Sequence, residues 1–426
     1  MKKLALHWQI LIAIILAAIV GGVVQSFGSA DGVLFGVPFV AVFDFIGKLF
    51  LQALKMLIVP LITSSIIVGV AGIGGSSSLG RLGGKTILFY ATTTLLAILV
   101  GLLLINLVQP GYENGEPIGE KLALTEDVSV VADRVAGKGV GDVIEIFLRM
   151  VPENIVSAAA NGQMLGLIFF AMLFGFCMTR LEGDLHDTLL RFWDGVFKVM
   201  MQITDLVMMV APIGVFGLVA ETVAQTGFEA ARQLFVFSLV VIAALAAHTF
   251  VTLPILLKLI GRVNPIKVLG AMSPAMLTAF STSSSSATLP VTMECVENDV
   301  GVSRKVSSFV LPLGATVNMN GTALYECTAA MFLAQAYGLE LTFGVQFSIV
   351  VIALLTSIGV AGVPSASLVA IAIILSSIGL PVEAIGVLLV FDRVLDMART
   401  SVNIFGDACC ATIVARLEGE ETKVAG

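Results

Sequence analysis

Apolar residues in this chain come in long runs rather than in the alternations of strands or the stripes of surface helices. Crossing a bilayer takes roughly 20 mostly apolar residues. Stretches of that kind run approximately over 8–27, 38–72, 86–108, 163–179, 193–220 and 233–257. The second is too long for one upright helix, which predicts a strong tilt or a kink. The opening MKKLALHW precedes its run as a signal peptide would, yet no small-residue cleavage site follows. It therefore reads as a retained first helix.

Beyond Pro274 the pattern changes, and apolar segments are broken by small polar residues at membrane depth. FSTSSSSATLP interrupts one at 280–290 and SIGVAGVPSAS another at 357–367. The arms on either side are only about 12–18 residues long, too short for a comfortable span. Non-helical backbone survives in a membrane only where protein buries it or a water-filled cavity adjoins it. Both segments are therefore predicted to be helical hairpins that enter and leave on one side. Each is followed by a longer segment, 306–336 and 383–416. A hairpin-plus-helix unit that occurs twice is the internal repeat of a secondary transporter.

Composition supports a polytopic membrane protein. Of 426 residues 58% are hydrophobic and 12% charged, against about 25% charged in an average soluble domain. Mean hydropathy is +1.03. A net charge of −7 argues against a nucleic-acid partner, which would need clustered basic residues. Cys177, Cys295, Cys327, Cys409 and Cys410 show no CxxC spacing, and His7, His186 and His248 are scattered, so no zinc site or disulfide framework is expected. Basic residues near the span ends set orientation. Lys2 and Lys3, Arg81 and Lys85, and Lys258, Arg262 and Lys267 mark three cytoplasmic edges, while the acidic stretch from Gly111 to Asp142 belongs outside as a mobile loop. GGSSSLGRLGGKT resembles a phosphate-binding loop, but the spacing requires glycine where Leu79 stands and no strand precedes it.

Two segments carry candidate chemistry. In GATVNMNGTALYE, Thr316, Asn318, Asn320 and Thr322 alternate with period two, which no continuous helix puts on one face. With Gly314 and Gly321 alongside, a local helix break is predicted, and freed carbonyls suit a hard cation such as sodium. In FDRVLDMARTSVNIFGDACCATIVAR, Asp392, Asp396, Arg399, Asn403 and Asp407 are spaced 4, 3, 4 and 4. At roughly 100° per residue they fall within an arc of roughly 80°, one polar stripe on an apolar helix. Charges at that depth are costly and must pair or bind. An internal Asp396–Arg399 ion pair would leave Asp392, Asn403 and Asp407 idle. Arg399 can hold a carboxylate through both its arms, Asp396 an ammonium, and N–H groups freed at the Ser283–Ser286 tip a second carboxylate. The complement is an acidic amino acid, with Asp407 and the broken helix forming a sodium site.

At SSSSATLP, NMNGTALYE, GVAGVP and the DxxRTxxNxxGD run ending at Asp407, the chain resembles the dicarboxylate/amino acid:cation symporters. That family includes excitatory amino acid transporters and archaeal aspartate transporters. The resemblance covers essentially the whole chain. It implies that Arg399 binds the side-chain carboxylate and Asp396 the amino group. Asn403, Thr322, Thr400, Val363 and the backbone of Ser283, Ser284 and Ser285 complete the pocket. One sodium site would use Asp407, Asn403, Asn318 and the Gly314 carbonyl, and a second the carbonyls of Thr316, Ser357, Ile358 and Val360. A third would use Tyr90, Thr93, Thr94, Asn318 and residue 320, where Asn320 replaces the family's Asp and should weaken the site. Glu326 stands where proton-coupled relatives carry Glu, a proton-carrier candidate whose plain alternative is a protonated packing residue.

The resemblance further implies an all-α polytopic protein with eight transmembrane helices and two re-entrant helical hairpins in inverted repeats. It implies a homotrimer in the cell inner membrane working as an elevator. Residues 1–82 and 111–225 would be scaffold, 83–110 and 226–416 the transport domain, and 417–426 a cytoplasmic tail. No enzyme activity and no cofactor beyond sodium as coupling ion is expected. Rival readings are a C4-dicarboxylate symporter, which the Asp396 charge disfavours, and a passive anion channel lined by Arg399. An intramembrane hydrolase using a hairpin serine lacks a His or Lys base in either hairpin.

Overall fold

The computed structural model describes residues 6–26, 33–34, 37–71, 77–122, 124, 148, 151–161, 164–226, 229–339, 341–357 and 367–424. They are mostly helical: α1 (Leu6–Ser26), α2 (Phe39–Ala71), α3 (Ser77–Val108), α4 (Met164–Met178), α5 (Gly183–Met209), α6 (Ala211–Thr226), α7 (Glu229–Ala247), α8 (Pro265–Thr282), α9 (Ser285–Glu294), α10 (Arg304–Val317), α11 (Asn320–Ala336), α12 (Phe343–Ser357), α13 (Ser367–Ile378) and α14 (Leu389–Leu417). By length and hydropathy, Leu82–Val108 and Arg232–Gly261 can each cross a membrane, and the bent pair Gly183–Val207 with Ala211–Glu221 would make a third span.

The long second run is a single 33-residue helix containing Pro60. At a rise of about 1.5 Å per residue it is roughly 50 Å long, well over the hydrocarbon thickness of roughly 30 Å. The hydroxyls of Thr63 and Ser64 donate back to the Val59 and Pro60 carbonyls, each at 2.7 Å, the usual way a hydroxyl is satisfied inside a helix.

The run over 193–220 is broken: it comprises most of α5 and the start of α6, whose axes bend by 54°. Pro212 occupies the first turn of α6; its missing N–H and fixed φ favour the start of a helix over its continuation. From Ser77 onward the stretch that resembled a phosphate-binding motif is part of α3; its first residues, 74–76, lie outside the described residues. The proposed mobile stretch beyond Gly111 lies largely outside the described residues. Its described start is a β-ribbon pairing Tyr112–Glu113 with Glu116–Pro117. There Lys121 Nζ meets Glu113 at 2.5 Å and holds that carboxyl below the usual carboxylate range.

Helix packing falls into two groups. α1 and α2 lie on α6, and α2 also covers α4 and α5. α14 is surrounded by α8, α10, α11 and α7, while α11 also packs on α3, α12 and α13. Every residue of α11 is buried, so this helix is the axis of the second group. Such a helix can be polar only where it meets polar partners.

The first hairpin is tight. α8 ends at Ser283, which is left-handed (φ 51°), and Ser284 caps α9 by accepting from the Ala287 N–H at 3.2 Å. The polar run at its tip is thus mostly helical, with the turn confined to two serines. α9 continues through a π-helical segment to Val300 and stops at Gly301, whose φ of +84° suits glycine.

At the other end of this group the segment after α14 folds back as a strap. Glu420 accepts from the Ser303 N–H (3.0 Å) and hydroxyl (2.5 Å) at the start of α10. The Lys423 N–H donates to the Val300 carbonyl, and the Asn264 N–H to the Val424 carbonyl, both at 2.9 Å. Lys85 on α3 pairs with Glu418 at 2.6 Å. The strap therefore ties both feet of the first hairpin to α3, α10 and α14.

Candidate functional site

The helix break predicted from alternation is present. α10 ends and α11 begins across Asn318 (φ −102°, ψ 82°) and Met319 (φ −106°, ψ 57°), neither of them helical. Two contacts make glycine obligatory beside the break. A Cβ on Gly314 would collide with the Asp407 carboxylate and the Tyr90 hydroxyl. A Cβ on Gly321 would sit 2.7 Å from the Arg399 carbonyl oxygen. Small residues let the two backbones approach, and the gap in the ladder then lies directly against α14.

Asn403 fills that gap. Its Oδ1 accepts from the Gly321 N–H at 2.8 Å and more weakly from Thr322 N–H at 3.4 Å, while its Nδ2 donates to Thr322 Oγ1 at 3.1 Å. These are N–H groups that the start of α11 leaves without helical partners. Asn403 thus joins Thr322 as expected. Its side chain bonds to the α11 start and Met319 rather than toward Asp407.

One turn earlier on α14, Arg399 has no exposed surface. Its Nη2 donates to Asp396 Oδ1 at 2.7 Å and its Nη1 to Asp392 Oδ1 at 3.1 Å. Its guanidinium carbon lies 3.9 Å from the centroid of the Tyr325 ring, a cation–π contact in a dry setting. The expectation that an internal ion pair leaves Asp392 idle is thereby corrected: two turns of helix bring Asp392 back under the guanidinium, and Arg399 uses both arms. Arg393, 8% exposed, adds a second cation, its Nη1 3.5 Å from Asp396 Oδ2. Thr400 is buried beside them with its hydroxyl on the Asp396 carbonyl at 2.8 Å.

Two turns further along α14, Asp407 is 2% exposed and accepts from Asn318 Nδ2 at 2.8 Å. The Gly314 carbonyl accepts from the Asn318 N–H at 2.9 Å, and the Tyr90 hydroxyl donates to the Val310 carbonyl at 2.8 Å. Among the described residues no cation pairs with Asp407. Thr94 donates to Asn320 Oδ1 at 2.8 Å, whereas Thr93 bonds back to Phe89 and Tyr90 in its own helix. The buried Asn318 Oδ1 has no hydrogen-bond partner. Tyr90, Thr94, Gly314, Asn318, Asn320 and Asp407 are therefore gathered at one oxygen-rich place, and Thr93 lies on the same turn of α3 without turning its hydroxyl there. Thr316 sits on the α10 side of the break, its hydroxyl on the Leu313 carbonyl at 2.9 Å.

Residues of α8, α9, α11 and α12 extend this polar region. Ser283 and Ser285 are buried, and the Ser283 hydroxyl has no hydrogen-bond partner. Ser401 Oγ on α14 donates to the Met276 carbonyl at 2.8 Å, seating the first hairpin. Glu326 is wholly buried, and its Oε2 accepts from Thr356 Oγ1 on the second hairpin at 2.9 Å. Ser357 ends α12; Ile358, Val360 and Val363 lie outside the described residues.

Sequence reasoning missed Tyr325 and Arg393. Tyr325 lies three residues after Thr322 and so on the same face of α11, a signal that was available. Arg393 lies about 60° beyond Asp396 on the helical wheel, outside the polar stripe.

Comparison with known proteins agrees with this arrangement. The profile of the sodium:dicarboxylate symporter family matches residues 6–417. A proton/sodium-glutamate symport protein of Geobacillus stearothermophilus is 36% identical, covering 100% of this chain and 97% of that protein. The proton/glutamate-aspartate symporter of Escherichia coli is 34% identical over 98% of this chain and 93% of its own length. Excitatory amino acid transporter 3 of Mus musculus is 33% identical over 97% of this chain and 86% of its own. With a buried, charge-paired stripe on α14 set against a broken helix, and with these matches end to end, the chain belongs to the sodium:dicarboxylate symporter family and is a membrane transporter, not an enzyme.

Proposed function

We propose that the protein couples uptake of an acidic amino acid, L-aspartate or L-glutamate, to the sodium gradient. The observation that carries this reading is Arg399: a guanidinium without exposed surface, held by Asp392 and Asp396 and stacked on Tyr325. Both its arms are taken, but its buried Nε has no hydrogen-bond partner and remains a donor for a substrate carboxylate, while Asp396 beside it is suited to an ammonium. Thr322, Thr400, Asn403, the Ser283–Ser285 turn and Val363 would complete the contacts. Glutamate and aspartate are also the substrates for which the relatives above are named.

Charge accounting favours sodium. Arg393 and Arg399 offset Asp392 and Asp396, so the cluster is neutral before a substrate of net charge −1 arrives. Asp407 adds a buried charge that no described cation offsets. A sodium ion at Asp407, Asn318 and the Gly314 carbonyl would relieve that cost and make substrate and cation binding mutually favourable. Thr316, Ser357, Ile358 and Val360 would supply a second ion site. Asn320 in place of a carboxylate weakens the third, with Tyr90, Thr93 and Thr94, because the Thr94 hydroxyl already occupies its oxygen. Glu326, paired to the second hairpin by Thr356, is a natural proton carrier.

The architecture we assign is eight spanning helices and two re-entrant hairpins in a homotrimer of the inner membrane. The α1–α2 and α4–α6 group would be the scaffold, and α3 with α7–α14 the moving elevator; the grouping of helix contacts supports the split. The test is L-aspartate and L-glutamate uptake into proteoliposomes with sodium, proton and potassium gradients imposed one at a time. Uphill accumulation under inward sodium supports the proposal. Uptake that only equilibrates would turn it into a passive anion pathway.

A further inference from the structure

Arg393 balances charge in the cluster but touches no substrate group in the proposed pocket, yet a guanidinium 8% exposed in a membrane protein is costly unless it serves something. It faces Asp396, Nη1 to Oδ2 at 3.5 Å, on the oxygen opposite the one that Arg399 occupies at 2.7 Å. The distance is that of an ion pair rather than a hydrogen bond, and neither Nε nor Nη1 of Arg393 makes a hydrogen bond. Arg399, by contrast, is fixed on three sides by Asp392, Asp396 and Tyr325. The two arginines therefore differ: Arg399 is built in, and Arg393 is a loosely held counter-charge.

We infer that Arg393 sets how strictly this transporter demands an amine on its substrate. The inference rests on the proposed function, in which Asp396 reads the ammonium. A bare Asp396 would repel a dicarboxylate that lacks the amine. With Arg393 against its second oxygen, that repulsion is offset, and an amine-free C4-dicarboxylate such as succinate is tolerated. An ammonium arriving at Asp396 must instead compete with Arg393. The residue thus narrows the gap between substrates with and without the amine, and Arg399 and Asp392 keep their places whichever binds.

The experiment measures binding of L-aspartate and of succinate to detergent-purified protein in saturating sodium, by calorimetry and by displacement of labelled aspartate. The intact protein should bind succinate no more than about a hundredfold more weakly than aspartate. Arg393→Gln and Arg393→Met should widen that ratio by about tenfold, through loss of succinate binding, while Arg393→Lys, which keeps the charge, stays within about threefold of the original. Aspartate binding with no succinate binding in the intact protein overturns the inference, as does a ratio unchanged in the neutral variants. Should both neutral variants fail to fold, Arg393→Lys and the intact protein decide: a lysine variant that keeps succinate binding supports the inference, and one that loses it overturns the inference. Failure of the intact protein to bind aspartate at all would instead overturn the function on which the inference rests.

Discussion

Replacing Arg399 with cysteine separates what this residue does for substrate from what it does for the fold. Its guanidinium makes charge-assisted hydrogen bonds of 2.7 and 3.1 Å to two carboxylates and has no exposed surface. Truncating one member of a buried, hydrogen-bonded charge pair costs about 2–5 kcal/mol of binding. That corresponds to roughly a 30- to 4,000-fold loss of acidic amino-acid affinity, at about 1.4 kcal/mol per factor of ten. Breaking the pair also destabilises the protein, by about 3–5 kcal/mol in buried cases. The structure says which carboxylate suffers: Asp396 keeps Arg393 at 3.5 Å, whereas Asp392 loses the one cation it is paired with among the described residues. The double variant Arg399→Cys with Asp392→Asn should therefore recover much of the thermal stability and none of the aspartate binding. Neutral amino acids, tested by displacement and by uptake, should gain access to both variants. Unchanged aspartate and glutamate affinity in monodisperse Arg399→Cys protein would refute the assignment. Binding that returned together with stability in the double variant would reduce Arg399 to a packing role.

Three further outcomes follow from neighbouring residues. Asn320→Asp restores a carboxylate beside Thr94 and should steepen the dependence of log aspartate affinity on log sodium; an unchanged slope would mean that Tyr90, Thr93 and Thr94 do not form an ion site here. Glu326→Gln keeps the shape of a buried side chain bonded to Thr356 and should abolish the pH dependence of net uptake while sparing sodium-driven exchange; net uptake unaltered across pH would return Glu326 to packing. Glu420→Ala removes both acceptors of Ser303 at the strap; with partial exposure the loss is about 1 kcal/mol, seen as a lower unfolding temperature without a change in sodium dependence.

The sequence disclosed the site better than it disclosed the assembly of helices around it. The break at Asn318–Met319 was legible because a period of two and a glycine on each flank conflict with helical periodicity. The α14 stripe was legible because its polar residues recur at helical spacing in an apolar run. Arg393 escaped because it lies off the stripe, although its spacing of three from Asp396 was a legible pairing signal. The Asn403 bonds to Gly321 and Thr322 depend on two helices meeting at a glycine, and no one-dimensional pattern carries that register. The bend between α5 and α6 falls in the apolar stretch after Asp205, where Pro212 is the residue that marks it. The strap from Leu417 to Val424 looked like a plain charged tail, since its bonds are to residues far away in the chain.

The central claim is that sodium and an acidic amino acid bind as linked partners, with Asp407 as the anion that sodium neutralises. Its most direct test is the L-aspartate dissociation constant, measured from sodium-free buffer to several hundred millimolar sodium, for the intact protein and for Asp407→Asn side by side. The account predicts affinity that climbs steeply with sodium in the intact protein. In the variant, the slope of log affinity against log sodium should be lower by about one. Affinity indifferent to sodium in the intact protein, or a slope that Asp407→Asn leaves untouched, would contradict it.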